Sequence, residues 1–202
     1  MKRPRELMSI PTKEQASRFL APLKGSLAIV LLHETEAKAK LSSFILSCAS
    51  LQAIDLTILD SDAFYCTNME LFAGDGQPVS RGEILLLPER SFEVGSLVPL
   101  LSSKRQILII DDLNSLSSLA SDGRRSQQLT ILMKLLSHNA RMNGSWAIAT
   151  AYRAELGHKQ NAMNQRSLTS LGDLLIDTDT YEGSIRLKSG LKGHWTNGEI
   201  VL

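Results

Sequence analysis

The run Ile107-Leu-Ile-Ile-Asp111-Asp112 sets two adjacent carboxylates directly after four apolar residues. A carboxylate at the C-terminal end of a buried strand can hold the Mg²⁺ of a nucleotide through water, the Walker B arrangement. Such a site needs a second part. A glycine-rich loop must wrap the phosphates with successive backbone N–H groups, followed by a Lys and a hydroxyl residue. That loop should follow Leu32, where the residues are His33-Glu-Thr-Glu-Ala-Lys-Ala-Lys40. No glycine occurs between Gly25 and Gly74. If the frame follows the strand end, His33 and Lys38 stand at the glycine positions, and Ala39 and Lys40 at those of the Lys and the hydroxyl. A slip of one residue gives Lys40 the Lys role, but then Leu41 takes the hydroxyl position. Glu34 and Glu36 add negative charge where triphosphate oxygens would sit, a repulsion on the order of kcal/mol at close range.

The ordinary ATP site is therefore expected to be absent, with no enzyme activity, no cofactor and no metal site. Asp111 and Asp112 then read as structural or vestigial. Lys38 or Lys40 is expected to pair with Glu34, Glu36, Asp62 or Asp111 across the former site. His33 reads as a solvated loop residue, and Asp60 and Asp62 as turn or cap residues at a strand end. Other chemistry is thin. The chain has no Gly-x-Ser-x-Gly, His-Glu-x-x-His or dinucleotide glycine pattern, and its four histidines show no metal spacing. The serine-rich stretch Leu113 to Ser121 reads as a loop.

Apolar runs must position these groups. Leu27–Leu32, Asp55–Asp60, Ile84–Leu87, Gln106–Asp111 and Ser145–Thr150 read as strands, apolar through most of their length. Between them, Glu36 to Leu51 has apolar residues at 37, 41, 44, 45 and 48, a helical period with one buried face. Arg124 to Met142 has apolar residues at 129, 132, 133, 136 and 140, and a second stripe at Ile131, Leu135 and Met142, so this helix is expected to be covered on two sides. Strands alternating with helices imply an α/β fold with a mainly parallel sheet flanked by helices. The C-terminal part carries short strand-like runs at 172–176, 184–188 and 194–202, with Asn197-Gly198 as a hairpin signal, so antiparallel C-terminal strands are expected. Residues 1–24 read as a lead-in with a short helix stopping at Pro22, and residues 25–202 as a single core domain.

With 202 residues, 43% hydrophobic and 21% charged, the chain can bury a core and is not a disordered polymer. Its apolar runs are too short to span a bilayer. A net charge of +1 gives no global attraction to a polyanion but leaves room for a local basic patch. Cys48 and Cys66 read as free thiols, so the protein is expected to be soluble and cytoplasmic, or nuclear in a eukaryote.

The order of Asp111-Asp-Leu-Asn-Ser-Leu116, Gly123-Arg-Arg125, Gln127-Gln-Leu129 and Trp146-Ala-Ile-Ala-Thr150 resembles the ATPase core of the RecA/RadA recombinase superfamily, including KaiC-like proteins and recombinase paralogs. Ile10-Pro-Thr-Lys to Leu23-Lys-Gly25 is similar to the lead-in to that core, and Leu59-Asp-Ser-Asp62 to its second strand, where the family carries an acidic residue that activates water. The resemblance implies a RecA-like P-loop core with a degenerate Walker A motif. It also implies two DNA-facing loops. One holds Arg124 and Arg125. The other holds Tyr152, Arg153, Lys159 and Arg166, whose composition suits phosphate contacts and one stacked base, or equally an ordinary solvated loop. The implied function is that of a non-catalytic recombinase paralog assisting homologous recombination and DNA repair. Its partners would be single-stranded DNA and a RecA-like protein, itself or a paralog, in an oligomer without a membrane. The alternatives are an assembly subunit without DNA binding, like the RecA-like subunits of Elongator, and a divergent ATPase using Lys40 and Asp111.

Overall fold

The computed structural model describes residues 11–68, 82–86, 95, 97–98, 104–119, 123–152, 171–181, 184–191 and 194–201. Helix α1 (Lys13–Leu23) opens on a capping box. Thr12 Oγ1 accepts from the Gln15 N–H at 3.2 Å and the Gln15 side chain accepts from the Thr12 N–H at 2.8 Å. The helix runs through Pro22 rather than stopping there, because a proline so near the C-terminus removes a single hydrogen bond while Leu20 and Leu23 are buried.

Six strands form a parallel sheet: β1 (Leu27–Leu32), β2 (Asp55–Asp60), β3 (Gly82–Leu86), β4 (Gln106–Asp111), β5 (Trp146–Tyr152) and β6 (Leu174–Tyr181), in the order β3-β2-β4-β5-β1-β6. Beyond β6 the backbone pairs in antiparallel register through β7 (Ser184–Leu191) and β8 (His194–Val201). Asn197 and Gly198 fall inside β8 rather than at a turn.

The helices are α2 (Thr35–Gln52), α3 (Phe64–Thr67), α4 (Leu113–Leu119) and α5 (Gly123–Asn143). Alternation along β1 divides the core. Leu27, Ile29 and Leu31 face α4 and α5, packing with Leu113, Leu116, Leu129, Leu132, Met133 and Leu136. Ala28, Val30 and Leu32 face the other way, packing with Phe19 and Leu20 of α1 and Leu41, Ile45 and Cys48 of α2. Both sheet faces are covered, so the central strands are apolar throughout, as parallel strands must be. Each fully buried Leu or Ile here contributes roughly 1.5–3 kcal/mol. Cys48 and Cys66 are free thiols, and burial pushes the Cys48 thiol up to about 12. Among the described residues no helix is long and apolar enough to cross a membrane.

Two further features depart from the sequence reading. The serine-rich stretch is helical (α4) rather than a loop: Asp112 Oδ1 accepts from the Ser115 N–H at 2.6 Å, and Leu113 and Leu116 anchor the helix in the core. The second apolar stripe of α5 is not covered by the described chain, since Ile131, Leu135 and Met142 are all exposed.

At the start of β6, a Cβ on Gly172 would lie 2.8 Å from the Ile29 side chain, so only glycine lets the chain approach β1 this closely. The next residue, Asp173, accepts from the Leu27 N–H at 2.9 Å and from Ser137 Oγ at 2.5 Å, locking β6 to β1 and α5. Because all six strands run the same way, their C-terminal ends form one edge. It carries His33, Asp60, Asp111, Tyr152 and Asp177, and in α/β sheets this is the edge that binds ligands.

Candidate functional site

Only His33 and Glu34 separate β1 from α2. The segment from Thr35 to Lys40, expected to stand in place of a phosphate loop, is the first turns of a helix. The reason is local: Ala, Glu and Lys are good helix formers, no glycine interrupts them, and Glu36 sits in the first turn, where the helix dipole favours it. A connection this short supplies no run of backbone N–H groups to encircle phosphates.

Lys38 lies one turn into α2 on its inward face and is fully buried. Its Nζ is 2.7 Å from Asp62 Oδ2 and 2.7 Å from Asp111 Oδ2. The ammonium also sits over two aromatic rings, 4.3 Å from the Phe64 centroid and 5.7 Å from that of Tyr152. Asp111 Oδ1 accepts from Thr150 Oγ1 across the sheet. Asp62 Oδ1 accepts from the Phe64 N–H at 3.1 Å, which orients α3 against the cluster. Ser61 Oγ donates to the Asp111 and Asp112 carbonyls at 2.8 and 3.0 Å, clamping β2 to the end of β4.

Two carboxyl groups thus hold one ammonium, and a third lies beside them. Carboxylate oxygens of Asp60, Asp62 and Asp111 lie within 4.8 Å of one another, a spacing that could hold a cation, and the Lys38 ammonium already contacts two of the three. Asp60 Oδ2 accepts from the Cys66 N–H at 2.9 Å, while its buried Oδ1 has no hydrogen-bond partner among the described residues. Burial drives the Asp111 carboxyl up to about 7 against the pull of Lys38 and Thr150. Burial also disfavours the Lys38 ammonium, but Asp111 and Asp62 together outweigh it and hold its pKa above the ordinary lysine value. Lys38 is thus held charged by its two carboxylate partners, while burial raises the Asp111 carboxyl against the pull of that same ammonium.

The remaining expected residues divide clearly. Lys40 Nζ pairs with Glu36 Oε1 at 2.7 Å within α2. Asp112 is buried as the cap of α4, and burial raises its pKa. His33 Nε2 lies 3.1 Å from Asp177 Oδ1, joining the end of β1 to β6. Tyr152, half-buried at the end of β5, stands over Lys38, and its N–H donates to Asn114 Oδ1 at 2.8 Å. Arg124 is exposed in the first turn of α5, and Arg125 follows it on the same helix. Arg153, Lys159 and Arg166 lie outside the described residues. Sequence reasoning missed Phe64, Thr150 and Ser61. Phe64, two residues after Asp62, carried the only positional signal. The choice of Lys38 over Lys40 was available from helical spacing, since Lys38 shares a face with Leu41 and Ile45.

No protein-family model matches the chain, and no curated protein matches it in sequence. Among solved structures, the crystal structure of the RadB recombinase is similar to it with a TM-score of 0.56 and 15% identity, covering 95% of this chain and 92% of that one. At that identity the likeness establishes the fold alone: the chain has a RecA-like fold.

Proposed function

We propose that this protein is a non-catalytic RecA-like recombinase paralog, in which the chain's own lysine has replaced the nucleotide at a degenerate Walker A site. It acts by binding single-stranded DNA or a RecA-like partner, and so assists homologous recombination and DNA repair. The observation that carries this reading is Lys38, buried between Asp62 and Asp111 at the sheet edge where the fold places a triphosphate. A nucleotide would have to expel that ammonium and then sit beside uncompensated carboxylates. Breaking a buried ion pair of this kind costs roughly 3–5 kcal/mol before any phosphate contact is made. The Lys40–Glu36 pair speaks against a divergent ATPase built on Lys40.

DNA binding in this reading rests on Arg124, Arg125, Tyr152, Arg153, Lys159 and Arg166. An assembly subunit without DNA binding is the second reading, favoured by the uncovered apolar stripe of α5. Binding of labelled single-stranded DNA over a salt series separates the two. Salt-sensitive binding weakened by Arg153→Ala, Lys159→Ala and Arg166→Ala supports the first. No binding at low salt, alone or with a RecA-like partner, supports the second.

A further inference from the structure

Asp60 is the member of the acidic cluster that Lys38 leaves unanswered. Its side chain is fully buried at the last position of β2. Oδ2 accepts from the Cys66 N–H, but Oδ1 has no hydrogen-bond partner among the described residues, and neither ion pair of Lys38 includes Asp60. A buried carboxylate oxygen in that state is costly, because water has been removed and nothing replaces it.

The backbone puts the group there. β2 and β4 run parallel and in register to their ends, so Asp60 stands beside Asp111 on the neighbouring strand. The Ser61 N–H donates to the Asp111 carbonyl at 2.6 Å and fixes that placement. Asp62 brings a third carboxylate to the same point, with one oxygen from each residue within 4.8 Å of the others. Oxygens on opposite sides of a hard cation, each held at about 2.0–2.6 Å, stand about 4–5 Å apart, and adjacent ones stand closer. The spread of the three carboxylates is therefore that of one ion's ligand shell. Three ionised carboxylates against one ammonium also leave two negative charges in the cluster.

We infer that Asp60, Asp62 and Asp111 bind a divalent cation beside Lys38, with no nucleotide required. Asp60 Oδ1 is the ligand atom left open for it. Asp62 and Asp111 are shared between ion and ammonium, since each ionised carboxylate has two accepting oxygens with several lone pairs. The Asp62 side chain is 27% exposed, which gives the ion its entry and lets water complete its shell. An all-carboxylate ligand set selects a hard cation over zinc or copper. Of the hard cations, Mg²⁺ gives up its water reluctantly, and Ca²⁺ asks for about six to eight oxygens, more than three carboxylates shared with Lys38 supply. Mn²⁺ fits best. The ion ties the ends of β2 and β4 together where Lys38 ties β4 to α2. The inference shares with the proposed function only the placement of Lys38.

The test is a titration of the full chain with MnCl₂, after chelator treatment and without nucleotide, followed by loss of the free Mn²⁺ paramagnetic resonance signal. One Mn²⁺ per chain is expected, with a dissociation constant below about 1 mM, the weak end for protein-held hard cations. The melting temperature should climb as free Mn²⁺ passes that constant. Mg²⁺ should compete at least tenfold more weakly. Asp60→Asn should weaken Mn²⁺ by about tenfold or more and abolish the thermal gain. It should also raise the melting temperature of the cation-free chain, because it removes the unanswered charge. If that variant does not fold, Asp62→Asn, on the partly exposed side, reads the same loss of binding. Glu36→Gln, outside the cluster, should leave binding unchanged. No bound Mn²⁺ at millimolar concentration, or binding that both Asn variants leave intact, overturns the inference. So does binding that appears only after Lys38→Met, which would mean that the ammonium fills the site alone. Mn²⁺ taken up only together with ATP overturns it as well, and with it the reading of Lys38 as the nucleotide's replacement; absence of both ligands overturns the cation site and leaves that reading standing.

Discussion

Lys38 Nζ and Asp111 Oδ2 meet at 2.7 Å with both side chains fully removed from solvent. The contact joins the first turn of α2 to the end of β4, the two elements that in a nucleotide-binding site would hold phosphate and metal. Here each neutralises the other, and Asp62, Phe64 and Tyr152 close around them.

Removing the ammonium should therefore be a stability mutation. Lys38→Ala leaves Asp111 and Asp62 facing each other without a cation, and is expected to cost about 3–5 kcal/mol in urea unfolding. Lys38→Met combined with Asp111→Asn should recover a large part of that loss, because it removes the charges together. Additive losses across the cycle of Lys38→Met, Asp111→Asn and their combination would mean the two residues are not coupled.

Lys40→Ala provides the contrast. Its partner Glu36 is on the same helix one turn away and largely exposed. Loss of the i,i+4 pair itself costs about 0.5 kcal/mol or less, and the largely buried Lys40 stem adds some lost packing, so the total should stay well below that of Lys38→Ala. A cost comparable to that of Lys38→Ala would place Lys40 in the core of the site after all.

The raised pKa of Asp111 predicts a pH dependence. Its folded value of about 7 lies above the ordinary 3.8, so the folded chain binds an additional proton between those two values. Stability contributed by that proton is fully present below the unfolded value and is lost as pH rises through the folded one. Unfolding free energy should fall from pH 5 to pH 7 with a slope of up to about 1.4 kcal/mol per pH unit. Asp111→Asn should flatten this slope. Lys38, with its pKa raised, works in the alkaline range: its contribution persists at neutral pH and disappears only above the ordinary lysine value. A profile that rises between pH 5 and pH 7 and ignores Asp111→Asn would contradict the assignment.

The proposed DNA surface makes a salt prediction. Arg124, Arg125, Arg153, Lys159 and Arg166 could neutralise one phosphate each, giving a single-strand log–log salt slope of roughly −3 to −4. Replacing any one phosphate-contacting Arg with Ala should reduce the slope by about 0.7 and weaken all sequences alike. A salt-independent or strongly sequence-selective interaction would not fit a phosphate-and-stacking surface.

The parallel sheet was legible because its strands are apolar on both faces, a pattern only a doubly covered sheet requires. The acidic strand ends were legible for the same reason: a carboxylate closing such a run must meet the ligand-binding edge. The helix from Glu36 was legible in its apolar period, and α2 opens one residue earlier at Thr35. What failed was local. The α4 helix was hidden by serines whose low propensity is overcome by the Asp112 cap and two buried leucines. The outer stripe of α5 was read as covered because a single sequence gives apolar spacing but not what lies against it. Thr150 reaches the Lys38 cluster through tertiary placement, which no spacing encodes.

Calorimetric titration of the full chain with Mg·ATP tests most directly whether Lys38 stands in the nucleotide's place. If it does, there is no binding heat up to millimolar nucleotide and no shift in melting temperature. A saturable isotherm with a micromolar dissociation constant would contradict it.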